Sequence, residues 1–150
     1  MADRSDREEH IIGIRGKGFT MKILVGYNGS EVSKAALSQA KIYAKTYDAL
    51  VYVVSSLEGG IGEKIEEINA AVENLKFAQD FLESDGVQCK TEQLARGLTP
   101  GEDLVQYAIE NEIDHLFVGI EKKSKTRKML LGSTAQYVIL KAPCPVTSVK

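Results

Sequence analysis

At 150 residues, 43% hydrophobic and 27% charged, the chain has the composition of an ordinary soluble globular protein with room for one domain. Its net charge of -2 argues against a general nucleic-acid binder, which rests on many Lys and Arg contacts to phosphate, so any basic site is local. No apolar run approaches the roughly 20 residues needed to cross a bilayer, and the first residues are too polar for a secretory signal, which makes the cytoplasm the expected address.

Residues Met1 to Thr20 differ from the rest, being nearly all polar at first and then broken by three glycines. Composition leaves two readings open: a flexible or vector-derived extension, or an added strand or dimer arm through Ile11, Ile12 and Ile14. From Met21 onward short apolar runs alternate with longer helical segments, the pattern of a parallel sheet with crossover helices. Lys22 to Tyr27 is the first predicted strand, apolar on both faces as a doubly covered strand requires. Asn28-Gly29 turns the chain, Ser30 is placed to cap a helix, and Val32, Ala36, Ala40, Tyr43 and Tyr47 recur at helical intervals.

Ala49 to Val54 is the second strand, followed by a loop containing Gly59-Gly60. The next helix carries Ile61, Ile65, Ile68, Val72, Leu75 and Leu82 on one stripe until Gly86 stops it. Val87 to Leu94 is the third strand. Thr99-Pro100-Gly101-Glu102 has the form of a capping box, so a helix runs from there to about Glu112, its buried face being Leu104, Val105, Ala108 and Ile109. Asp114 to Val118 is the fourth strand, a last helix from Ser133 to Lys141 buries Ala135, Val138 and Ile139, and Val146 to Val149 is the fifth strand. Cys89 and Cys144 stand outside any CxxC or Cys/His cluster and read as buried small hydrophobes, with no metal site implied.

The fold class expected is α/β: a single doubly wound five-stranded parallel sheet of order 3-2-1-4-5, with helices on both faces. Winding reverses between the first and fourth strands, so the loops beginning at Asn28 and Gly119 should meet in one crevice. The second of these loops has an anion site's chemistry. Gly119 and Gly132 enclose twelve residues, among them Lys122, Lys123, Lys125, Arg127 and Lys128, and Ser133-Thr134 stand at a helix start whose free N-H groups need acceptors. The plainer reading is a capped helix, two turn glycines and a solvated basic loop.

Asn28 can hydrogen-bond a sugar hydroxyl or a base edge, or serve only to bend the backbone with Gly29. Val53 and Val54 at the end of the second strand, and Tyr27, offer an apolar wall or plain core. Glu58, Glu63 and Glu121 border the predicted crevice. His115 falls where a strand-packing residue belongs. Neither a GxSxG elbow nor an HExxH is present, so nucleophilic or metal hydrolysis has no motif behind it and no catalytic residue is assigned.

KILVGYNGSEVSKAALSQA, DHLFVG and LLGSTAQYVILKAPCPVTSV, spread over Met21 to Lys150, resemble the universal stress protein family. Its nucleotide-binding members carry G-x2-G-x9-G-[ST] between the fourth strand and the last helix. This chain has G-x2-K-x9-G-S, with Gly119, Gly132 and Ser133 in register, Lys122 at the second glycine, and Asn28 where those members have an aspartate. The resemblance implies a cytoplasmic, homodimeric stress-response module, paired through the last strand, that binds ATP or AMP. Its contacts would be Asn28, Val53, Gly119, Lys122, Gly132, Ser133 and Thr134, with Mg entering only alongside the nucleotide. It implies slow ATP hydrolysis at most. A rival of another class is a homodimeric interaction protein that binds no nucleotide, in which Lys122 and Asn28 mark a lapsed site.

Overall fold

Apolar residues in unbroken runs have to be covered on both sides, and this requirement organises the chain. The computed structural model describes residues 21–59, 64–121 and 131–150. Expectations placed on residues 1–20, on Ile61 and Glu63, and on Lys122, Lys123, Lys125, Arg127 and Lys128 lie outside the described residues.

The elements in chain order are β1 (Lys22–Gly26), α1 (Glu31–Tyr47), β2 (Leu50–Ser56), α2 (Ile65–Glu83), β3 (Cys89–Leu94), α3 (Pro100–Glu110), β4 (His115–Gly119), α4 (Ser133–Lys141) and β5 (Val146–Val149). The strands form one sheet of order β3-β2-β1-β4-β5, and every neighbouring pair is parallel, as the sequence predicts. β1 lies at the centre, pairing Val25 with Val53 of β2 and with Phe117 of β4.

Alternation along the strands divides the core into two layers. Ile23, Val25, Val51, Val53 and Phe117 pack with Ala36, Leu37 and Ala40 of α1 and with Leu75, Ala78 and Leu82 of α2. On the other face Leu24, Tyr52, Val54, Leu116 and Val118 pack with Leu104 and Ala108 of α3 and Val138 of α4. At about 25 cal/mol per Å² of apolar surface removed from water, these two layers supply the main driving force of folding.

Three of the predicted helix faces are corrected. On α2 the buried residues are Ala71, Leu75, Ala78 and Leu82, whereas Ile65, Ile68 and Val72 are exposed. The buried stripe has the expected period but is rotated, because alanines let the helix approach the sheet closely while larger side chains face outward. Ile109 and Ile139 are likewise exposed, and Tyr107 takes the buried place on α3. Tyr47 is exposed beside Tyr43, which packs on Phe117. Cys89 and Cys144 are only half-buried, and burial pushes the Cys89 thiol up to about 11.

Candidate functional site

The carboxyl ends of β1, β2 and β4 open into one cavity of about 190 Å³, roofed by the N-terminal turns of α1, α3 and α4. Topology thus brings the Asn28 loop and the Gly119 loop together, as the reversal of winding requires. Asn28, Gly119, Gly132, Ser133 and Thr134 all line this cavity. Val53 does not: it is fully buried and packs in the α1/α2 layer, while its neighbour Val54 points the other way and forms the apolar wall with Leu104 and Val118. Tyr27 also lines the cavity; its hydroxyl has no partner among the described residues, and burial, then Glu31, push its pKa up.

Three helix starts face the same space, and their chemistry differs. Ser30 caps α1 by accepting from the Ser33 N-H at 3.2 Å, and the Ser33 hydroxyl donates back to the Ser30 carbonyl at 2.9 Å. Thr99 caps α3, accepting from the Glu102 N-H at 3.4 Å, with Pro100 at the first turn. α4 begins after Gly132 and has no side-chain cap. Among the described residues, its first amides therefore have no capping side chain to accept from them, and the helix dipole there favours an anion.

Asn28 is oriented by its own turn. Its side-chain oxygen accepts from the Ser30 N-H at 3.0 Å, while its backbone carbonyl accepts from the Asn74 amide at 3.3 Å. This leaves the Asn28 Nδ2 group, which has no partner among the described residues, as a donor at the exposed rim. Gly29 follows with φ of +80°, which a glycine adopts without strain. Gly119 is held for a different reason: a Cβ there would lie 2.6 Å from the backbone carbonyl of Val32, so the absence of a side chain lets β4 pass beneath the start of α1.

A sequence model described as the universal stress protein family matches residues 20–150. The chain belongs to the universal stress protein family. A universal stress protein of Methanocaldococcus jannaschii is 34% identical over 90% of this chain and 85% of its own length. One from Thermus aquaticus is 31% identical over 85% of this chain and 97% of its own. Among solved structures, a universal stress protein from Archaeoglobus fulgidus superposes with a TM-score of 0.80 at 34% identity, covering 93% of this chain and 99% of that one. The Archaeoglobus fulgidus protein in complex with dAMP gives 0.76 at 33% identity, covering 89% and 100%.

This universal stress protein also has a polar network that sequence reading missed. Ser56, at the end of β2, lines the cavity and donates to Asp103 Oδ2 at 2.6 Å. Asp103 is completely buried on α3, where its other oxygen accepts from Arg96 Nε at 2.7 Å. Arg96 bonds both oxygens of Glu110, at 3.3 and 3.0 Å. The signal available in the sequence was an acid at 103, one turn before Tyr107 on the inward face of a capped helix. Glu121 is the one charged side chain among the described residues that line the cavity; Glu58 is exposed and does not line it.

His115 is not part of the site. It lies in β4 between Tyr43 and Phe117, with Nε2 2.7 Å from the Thr147 hydroxyl of β5, and burial lowers its pKa. The structure thus gives it the strand-packing role that its position suggests.

Proposed function

We propose that this protein is a stress-response module that binds an adenine nucleotide, ATP or AMP, in the crevice between β1 and β4, with no catalysis assigned. The observation that carries the reading is the uncapped start of α4 opening into the same cavity as the Asn28 amide and the Val54, Leu104 and Val118 wall. Phosphate would accept from the α4 amides and the Ser133 and Thr134 hydroxyls. Asn28 Nδ2 would donate to a ribose oxygen, where an aspartate would accept instead. The dAMP complex of the Archaeoglobus fulgidus relative, at 33% identity, supports the ligand class. Magnesium would enter only on the nucleotide's phosphates, and Lys122 would meet their charge.

The domain is taken as residues 21–150, residues 1–20 being an extension, and the protein as a cytoplasmic homodimer paired through β5. β5 supports this as an edge strand, flanked by α4, whose Ile139 and Leu140 are exposed. Light scattering that gives a monomer mass at micromolar concentration would remove the dimer.

The second reading, an interaction protein with a lapsed site, draws support from Gly119. Its packing against Val32 accounts for that glycine without a ligand. Isothermal titration with ATP, ADP and AMP decides between the two: saturable heat is expected, and none above buffer at millimolar nucleotide would sink the nucleotide reading. In that event the Lys122→Gly variant tests whether a lapsed site can be restored.

A further inference from the structure

Ser56 is a hydroxyl whose proton is already committed. A serine hydroxyl has one hydrogen and two lone pairs, so once it donates it can only accept from anything else. At Ser56 the hydrogen goes to Asp103 Oδ2 at 2.6 Å. Asp103 has no solvent exposure, and Arg96 pairs with its second oxygen at 2.7 Å and also donates to its backbone carbonyl at 3.3 Å. Arg96 is in turn held by Glu110. A carboxylate so placed is an acceptor only, which fixes the direction of the hydrogen bond that it receives.

Position gives this polarity a use. Ser56 lies on the same face of β2 as Val54, beside the Leu104 wall, whereas the uncapped α4 start lies across β1 on the β4 side. Two strand spacings, roughly 10 Å, separate the β2 and β4 ends of the cavity. A nucleotide with its phosphate at α4 therefore extends its base toward Val54 and Ser56.

We infer that Ser56, polarised by buried Asp103, is the specificity-determining acceptor of the site, selecting a base that presents an exocyclic amino group over one that presents a carbonyl there. This inference rests on the nucleotide reading above. Adenine donates from its amino group to Ser56. Hypoxanthine places a carbonyl oxygen against an oxygen that has no hydrogen to offer, and an acceptor facing an acceptor is the repulsive element that discriminates.

The test is parallel titration of wild-type protein, Ser56→Ala and Ser56→Thr with AMP and with IMP. Wild type should prefer AMP by about tenfold or more. Ser56→Ala should reduce the ratio to about threefold or less, since neither base then meets a fixed acceptor, while Ser56→Thr, which keeps the hydroxyl, should retain the wild-type ratio. Equal wild-type affinity for AMP and IMP would overturn the inference and leave the nucleotide reading standing, as would an unchanged ratio in Ser56→Ala. Failure of AMP to bind at millimolar concentration would overturn both. Thermal unfolding of each variant confirms that it is folded before its ratio is read.

Discussion

Gly119 of β4 and Val32 of α1 approach so closely that a Cβ on Gly119 would sit 2.6 Å from the Val32 carbonyl carbon and carbonyl oxygen, and 3.0 Å from the Ser33 nitrogen. The obstacle is backbone at the start of a helix, which cannot swing aside as a side chain can. Gly119→Ala is expected to destabilise the fold by about 1–3 kcal/mol, through displacement of α1 from the sheet. Urea denaturation measures this; an unchanged midpoint would show that α1 yields freely.

The ion pairs around Asp103 should contribute unequally. Among the described residues, Arg96→Ala leaves a carboxylate with no solvent contact and only the Ser56 hydroxyl as a side-chain partner, a loss of about 3 kcal/mol or more. Glu110 is exposed by 44%, so solvent screens its pair with Arg96 and Glu110→Ala should cost far less than Arg96→Ala. Chemical denaturation of the two variants side by side checks the asymmetry, and equal losses would contradict it.

Glu121 places a negative charge at the cavity where phosphate is proposed to bind. Glu121→Gln should therefore tighten nucleotide binding by about two- to threefold at low salt, more for ATP than for AMP, with the gain shrinking as salt screens it. Titrations at two ionic strengths supply the comparison. Weaker binding in Glu121→Gln would mean that the carboxylate assists the ligand.

Burial lowers the pKa of His115 from its ordinary value near 6.5. The unfolded chain then takes up a proton as pH falls below that value while the folded chain resists it, so stability declines with falling pH through this range. The melting temperature should drop between pH 7.5 and 5.5, and His115→Gln, which cannot titrate, should show a smaller drop. His10 is the only other histidine in the chain, which keeps the comparison simple.

The sheet was legible in the sequence because its signal is redundant. β1 reads as an apolar run, the order follows from five parallel strands, and β5 lies at the predicted residues. The helix faces were less legible wherever alanine competes with larger residues: Ala71 and Ala78 pack against the sheet and Ile65 faces solvent, although size alone ranks them the other way. Turn chemistry placed Asn28, Gly132, Ser133 and Thr134 in the cavity. What sequence could not supply was the pairing of Ser56 with Asp103 and of Asp103 with Arg96, since those partners stand 47 and 7 residues apart and meet only when α3 docks on β2. Val53 failed as a cavity residue by one position, because a step of one along a strand moves a side chain to the opposite face.

The proposed adenine nucleotide would lie in one crevice between the β1 loop and the α4 start. An amide NMR titration of the full chain with AMP tests it most directly. Saturable shifts at Asn28, Ser133 and Thr134, with Ser56 moving at the far end, are the predicted result. No shifts at millimolar AMP, or shifts confined to residues away from this cavity, would contradict it.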